Sequence, residues 1–171
     1  MPAGEQAVVS GDGGVPNWRD DEVQIRALVT RYFIALDQRD YDSLESCFGP
    51  DATGWYDREY GPGREAIVAY LKSAMSRWNA TTHLGGNVEV VVGDGIAHAQ
   101  VYAVAYLISD QPAGGGSRIR VRGLRYSDIF TVVAGRWLIS RRVRVADWSF
   151  DVEGRHFTGV DSEVSPPPHP S

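Results

Sequence analysis

Residues 82–92, THLGGNVEVVV, open the part of the chain that decides the fold, because apolar and polar side chains alternate from here on with a period of two. The pattern continues in GIAHAQVYAVAYLIS (95–109), SRIRVRGLRYSDIFTVV (117–133) and GRWLISRRVRVADWSF (135–150). The short connectors VGDG and VAG are typical of hairpin turns. We therefore predict four long strands in an antiparallel meander.

The residues before these strands follow a helical period instead. DEVQIRALVTRYFIALDQRD (21–40) has apolar residues at helical spacing, Asp40 can cap a short helix over 41–48, and GREAIVAYLKSAMSRW (63–78) predicts a third helix. DATGWYD (51–57) is expected to be extended. Three helices followed by a meander predict an α+β fold, with the helices on one face of a strongly curved, cone-shaped antiparallel sheet. A pocket is expected between the concave face and the helices.

The ends of the chain differ in composition from its middle. Residues 1–17 are rich in glycine and proline and predict a flexible leader, and 156–171 form a tail with three consecutive prolines. The predicted domain therefore covers 18–155, which is a single domain within 171 residues. The first residues lack the basic segment followed by an apolar segment that is typical of a secretory signal peptide. The sequence has one cysteine, so no disulfide can form within the chain. We therefore expect a cytoplasmic protein.

Composition excludes several classes of function. With 17 basic and 22 acidic residues the net charge is −5, which disfavours nucleic-acid binding, and no apolar run reaches the ~18 residues of a membrane span. The four histidines show no metal-ligand spacing, and a phosphate-binding glycine loop and a serine nucleophile elbow are both missing from the sequence. We expect no metal, no cofactor and no membrane or nucleic-acid partner. Acid–base chemistry remains.

Two titratable residues are candidates for that chemistry. Asp37 lies beside the apolar stripe of the first helix, on the face of Phe33 and away from Gln38 and Arg39, which are expected to be exposed. His83, in TTHLGG, begins a strand where glycines allow other groups to approach the backbone. A histidine oriented by a carboxylate can transfer protons near neutral pH. There is an alternative for each residue. His83 could be a strand histidine whose hydrogen bonds are satisfied by a neighbour, and Asp37 could be a surface carboxylate at the end of a helix.

Tyrosines form a second group, because a phenolic hydroxyl can donate a hydrogen bond to a substrate carbonyl. Six of them fall on elements that could face the pocket: Tyr32, Tyr56, Tyr60, Tyr102, Tyr106 and Tyr126. Tyr32 and Asp37 are about 140° apart around a helix, so both reach one pocket only if the helix ends across it. In 95–109 one face carries small residues, and the other, with His98, Gln100 and Tyr106, suits a polar cavity or an oligomer surface.

Arginines recur on the last two strands. They are Arg118, Arg120, Arg122, Arg141, Arg142 and Arg144. We expect solvated strand faces or ion pairs between subunits here in preference to anion binding.

Several segments resemble the SnoaL-like members of the nuclear-transport-factor superfamily. They are YFIALDQRDYDSLESCFGPDA, GREAIVAYLKSAM, TTHLGGNVEVVV and GRW…RVRVADW, within residues 18–150. The first and third are most similar to bile acid 7α-dehydratase and scytalone dehydratase. In that family a Tyr–Asp–His set carries out proton transfer without a cofactor inside the cone. The resemblance assigns these catalytic roles to Tyr32, Asp37 and His83.

The resemblance also implies substrate-binding residues. It places Tyr56 at a tyrosine used by scytalone dehydratase, and Arg144 near an arginine of the bile acid enzymes. Tyr106 stands where those enzymes have an acidic residue, and Asp128 stands where scytalone dehydratase has an asparagine. Since these positions differ, the resemblance implies a related reaction on a different substrate.

The sequence therefore predicts a cofactor-independent enzyme. We expect a dehydratase or other lyase, or an isomerase, acting on a small, apolar, polycyclic or polyketide-like hydroxy-carbonyl compound. Ring closure by the same residues, as in SnoaL-like cyclases, is an alternative. A ligand-binding or assembly module without catalysis is a third. The family also implies a homodimer or homotrimer.

Overall fold

A computed structural model describes residues 18–110 and 116–156. The chain forms α1 (Trp18–Gln38), α2 (Tyr41–Glu45), β1 (Phe48–Trp55), β2 (Glu59–Tyr60), α3 (Arg64–Met75), β3 (Ala80–Val92), β4 (Ile96–Asp110), β5 (Ser117–Val133) and β6 (Arg136–Gly154). The predicted leader, and the predicted tail after its first residue, lie outside the described residues. None of the helices in the described ranges has the length and hydropathy needed to cross a bilayer.

The strands form one sheet with the order β2-β1-β6-β5-β4-β3. From β3 to β6 each strand pairs antiparallel with the next, which confirms the predicted meander. β1 lies parallel to β6, with Thr53 opposite Arg141 and Trp55 opposite Val143. DATGWYD is extended as predicted, but the sequence gave no partner for it, because pairing depends on the path of the chain through the one helix, α3, and the four strands that lie between β1 and β6.

The core lies between the helices and the concave face of this sheet. α1 buries a stripe that includes Ile25, Leu28 and Leu36, and β4 buries its small residues, among them Ala103 and Ala105. Small side chains on β4 leave room above the sheet, so the helices and sheet enclose space as well as packing against each other. The predicted α+β class, with helices on one face of a curved sheet, is confirmed.

The end of α1 is fixed by a backbone turn and one arginine. Arg39 has φ 61°, in the left-handed region, and the N–H of Asp40 donates to the carbonyl of Ala35 at 3.0 Å, which closes the helix in a Schellman-type turn. Asp40 then accepts from the N–H of Ser43 and caps α2, as predicted. The expectation that Arg39 is exposed is wrong, because its guanidinium folds back over the end of α1 and is half-buried.

Candidate active site

A cavity opens between α1, α3 and the concave face of the sheet. The space between these elements is about 500 Å³ when the open solvent at its mouth is counted. Its wall combines apolar residues with one histidine, four tyrosines and three arginines. The polar lining residues are Tyr32, Tyr56, Tyr70, Tyr126, His83, Arg77, Arg122 and Arg144.

Asp37, in the last turn of α1, and His83, in β3, are joined by two hydrogen bonds. The Nδ1 atom of His83 lies 2.6 Å from the Oδ1 atom of Asp37, and the backbone N–H of His83 donates to Oδ2 at 2.6 Å. The imidazole is only 4% exposed and the carboxylate 20%. His83 lines the cavity, whereas Asp37 lies behind it. The angle between Tyr32 and Asp37 around α1 is therefore no obstacle, since only Tyr32 has to reach the cavity.

The carboxylate determines which nitrogen of His83 carries the proton. Burial raises the pKa of Asp37, but the hydrogen bonds from His83 and Thr81 and the attraction of the His83 ring lower it more, so the pKa lies below its usual value. An ionised carboxylate can only accept hydrogen bonds, so Nδ1 of His83 donates. In the neutral ring Nε2 is then an acceptor. A proton taken from a ligand can be held there and returned.

A second layer of hydrogen bonds holds Asp37, and the sequence did not indicate it. The hydroxyl of Thr81 donates to Oδ1 of Asp37 at 2.7 Å, and Nη1 of Arg39 donates to the Thr81 hydroxyl at 2.8 Å. Arg39 also donates to the backbone carbonyls of Leu36 and Trp78, at 2.9 and 3.4 Å. Arg39 thus ties the end of α1 to the start of β3, where Thr81 precedes His83 by two residues.

The ring of His83 is also held by an aromatic neighbour. Phe33 stacks on it, with 5.8 Å between centroids and 9° between planes. A Cβ atom built at Gly85 would lie 3.3 Å from Cε2 of Phe33, so the strand passes close to this ring because position 85 has no side chain. The glycines after His83 therefore have the effect expected from the sequence, which is a close approach of another group to the backbone.

Two of the predicted tyrosines meet inside the cavity. The hydroxyl oxygens of Tyr32 and Tyr56 lie 3.4 Å apart, and Tyr126 packs edge-on against Tyr32 with 6.3 Å between ring centroids. Burial, followed by the nearby Tyr32, raises the pKa of Tyr56 well above its usual value. Burial likewise raises the pKa of Tyr126. Tyr56 and Tyr126 therefore keep their protons, and their hydroxyls can act as hydrogen-bond donors.

A buried ion pair lies against these tyrosines. Arg142 donates to both carboxylate oxygens of Asp128, at 2.8 and 2.6 Å, and both side chains are 0% exposed. Burial lowers the pKa of Arg142, but Asp128 raises it more, to well above the usual value. The guanidinium carbon lies 3.9 Å from the ring centroid of Tyr32 and 4.7 Å from that of Tyr126. The expectation of a solvated arginine is therefore wrong for Arg142.

The structure separates the remaining predicted residues. Asp128 is not among the residues that line the cavity, and both of its oxygens accept hydrogen bonds from Arg142. Tyr106 belongs to the outer face of β4, while the alternating residues Ala105 and Leu107 face inward, so its predicted place in the substrate pocket is corrected. Arg144 does line the cavity, and its Nη2 donates to the carbonyl of Tyr56 at 3.1 Å.

No group of three or more His, Cys, Asp or Glu side chains suited to a metal ion occurs in residues 18–110 and 116–156. The cavity wall offers one imidazole and several phenols and guanidiniums, and no carboxylate among its described lining residues. The chemistry available from these side chains is proton transfer at His83 and hydrogen-bond donation by tyrosine and arginine.

The sequence matches a known domain family. The model of the SnoaL-like domain matches residues 19–143. The chain belongs to the SnoaL-like family. It is 30% identical over 129 residues to an uncharacterized protein of Mycobacterium tuberculosis strain H37Rv, a match that covers 72% of this chain and 83% of the relative.

Solved structures with the fold of this SnoaL-like protein include a dehydratase and a dehydrochlorinase by name. A proposed scytalone dehydratase from Novosphingobium aromaticivorans has a TM-score of 0.67 and 19% identity, covering 84% of this chain and 95% of its own. A hexachlorocyclohexane dehydrochlorinase from Novosphingobium barchaimii has a TM-score of 0.70 and 18% identity, covering 83% and 97%. At these identities the similarity establishes the fold.

Proposed function

We propose that this protein is a cofactor-independent acid–base enzyme, and specifically a lyase that removes water from a polycyclic or polyketide-like hydroxy-carbonyl compound. The observation that carries the proposal is the hydrogen bond of 2.6 Å between His83 and Asp37 at the wall of an open cavity lined by both apolar and polar residues. A noncatalytic module would not need an imidazole held in one tautomer beside an empty volume.

The reaction divides between the two sides of the cavity. Nε2 of His83 takes a proton from the carbon next to the substrate carbonyl, and Asp37 stabilises the imidazolium that forms. Tyr32 and Tyr56 donate hydrogen bonds to the carbonyl oxygen as enolate charge develops. The imidazolium then gives its proton to the departing hydroxyl, which leaves as water. Every proton is accounted for within the substrate and His83, and isomerisation would follow the same first step.

The test is an exchange experiment that needs no knowledge of the natural substrate. A panel of polycyclic β-hydroxy ketones is incubated with the full chain in D₂O, and deuterium uptake next to the carbonyl and loss of water are followed by mass spectrometry. We expect His83→Ala and Asp37→Asn to lower the exchange rate of an accepted compound about 10²–10⁴-fold. His98→Ala is the matched control, because His98 is exposed on the outer face of β4.

Two results would contradict the proposal. One is that both His83→Ala and Asp37→Asn retain the wild-type rate. The other is that compounds bind in the cavity, by ligand-observed NMR, and none exchanges, which would favour the ligand-binding module. Ring-closed products in place of dehydrated ones would retain the acid–base assignment and change the reaction to the cyclase alternative.

A further inference from the structure

Three arginines converge on the cavity that holds His83. Arg77 follows α3, Arg122 lies in β5 and Arg144 in β6, and all three line the cavity wall. No aspartate or glutamate is among the described lining residues. Arg77 is exposed, but Arg122 and Arg144 are half-buried, and a charge that is partly removed from water is stabilised by a nearby acceptor or opposite charge.

Several other arginines of these two strands have an acidic partner. Arg120 donates to both oxygens of Asp151 at 2.8 and 3.0 Å, and Arg118 approaches the same carboxylate at 3.6 Å. Arg142 is paired with Asp128. These ion pairs lie within one chain, whereas the sequence led us to expect pairs between subunits, and the cavity arginines take part in none of them.

The three cavity arginines have N–H groups that are available to a ligand. Within the described part of the chain, none of the three has an acidic side chain within 4.0 Å. The Nε atom of Arg144 is buried without a hydrogen-bond partner, although its Nη2 binds the carbonyl of Tyr56. Burial, followed by the charges of Arg120 and Arg144, lowers the pKa of Arg122. A buried donor without an acceptor and mutually repelling cations both favour a bound anion.

We propose that the cavity mouth binds an anionic group of the substrate, of carboxylate type, through Arg122, Arg144 and Arg77. This inference rests on the proposed function, since it names a property of the substrate of that reaction. It adds a negative charge to the mostly apolar, polycyclic or polyketide-like hydroxy-carbonyl compound expected from the sequence.

The strand register sets where the charge lies relative to the reacting carbon. His83 is opposite Ala105 in β3–β4, and Ala105 is opposite Arg122 in β4–β5. His83 and Arg122 therefore lie two strand spacings apart, about 9.5 Å between Cα atoms, on either side of a small residue. A ligand about two fused rings long can lie over Ala105 with its proton donor at His83 and its anion at Arg122.

The experiment compares two probes of nearly the same shape, one with an anionic carboxylate and one with a neutral carboxamide. Dissociation constants of 6-hydroxy-2-naphthoate and 6-hydroxy-2-naphthamide are measured by isothermal titration calorimetry with the full chain. We expect the carboxylate to bind roughly 10- to 100-fold more tightly than the amide, as is typical of hydrogen bonds to charged groups. Arg122→Gln should remove most of this preference, and Arg122→Lys should retain part of it. Arg141→Gln removes the same charge from an exposed position and should retain all of it.

Several results would overturn the inference. They are equal affinity for both probes in the wild type, no binding of the naphthoate at millimolar concentration, an undiminished preference in Arg122→Gln, and an equal loss in Arg141→Gln. Because the readout is binding, it is independent of the deuterium-exchange test. Preference for the carboxylate with no exchange by any compound would contradict the proposed function alone, and exchange without the preference would contradict this inference alone.

Discussion

The buried pair of Asp128 and Arg142 yields the most quantitative prediction. Replacing Asp128 with Asn removes the charge that balances Arg142 but hardly changes the volume. Arg142 would then remain 0% exposed, against Tyr32 and Tyr126, without its counter-charge. Breaking one side of a buried ion pair costs about 3–5 kcal/mol of unfolding free energy. For a chain of this size each kcal/mol lowers Tm by about 2–4 °C, so we expect a fall of about 6–20 °C.

The chain contains a matched control for this prediction. Arg125 and Asp147 form an equally bidentate pair, at 2.6 and 2.7 Å, on the exposed surface. Asp147→Asn should leave Tm almost unchanged, because water screens the charge that is left. Asp128→Leu combined with Arg142→Met should recover most of the stability, since no unpaired charge remains. Thermal unfolding followed by circular dichroism measures all of these variants. Equal effects of Asp128→Asn and Asp147→Asn would refute the reasoning.

Three further predictions concern the site and the outer surface. Asp37→Asn should lower the unfolding free energy at neutral pH, as measured by urea titration. The difference from the wild type should shrink as pH falls below about 3.8, because a carboxylate with a depressed pKa contributes stability that is lost when it is protonated. Arg39→Gln should cost about 1–3 kcal/mol and speed hydrogen exchange at the amide of His83; unchanged exchange would contradict its positioning role. Trp148 and Phe150 are 50% and 53% exposed and stacked, and we expect copies of the chain to associate through them. Trp148→Glu should then reduce the sedimentation coefficient, and a monomeric wild type would contradict this.

The meander and the pairing of Asp37 with His83 could be predicted because their signals are local or belong to the family. A period of two predicts strands, and the catalytic roles of Asp37 and His83 followed from the resemblance of their segments to the family. Alternation cannot say which face of a strand points inward. In β4 the alanine face indicated which side points inward, because small residues allow the helices to approach closely. The opposite, polar face with Tyr106 was nevertheless expected to line the pocket.

The arginines were the hardest residues to predict. Arg39 follows a helix and Arg142 lies in a run of arginines, and both patterns are typical of exposed residues. The partners that bury them, Thr81 and Asp128, are 42 and 14 residues away in sequence. Only the sheet register and the turn after α1 bring these groups together. The sequence holds all of these residues, but their pairing is a property of the tertiary structure.

The measurement that tests the central claim most directly is the tautomer of His83, observed by two-bond ¹H–¹⁵N NMR at a pH where its ring is neutral. The hydrogen bond to the ionised Asp37 predicts that the proton is on Nδ1 and that Nε2 is the free base facing the cavity. Asp37→Asn should shift the population toward the Nε2–H form. A wild-type ring with its proton on Nε2, unaffected by Asp37→Asn, would contradict the assignment of His83 as a base oriented by Asp37.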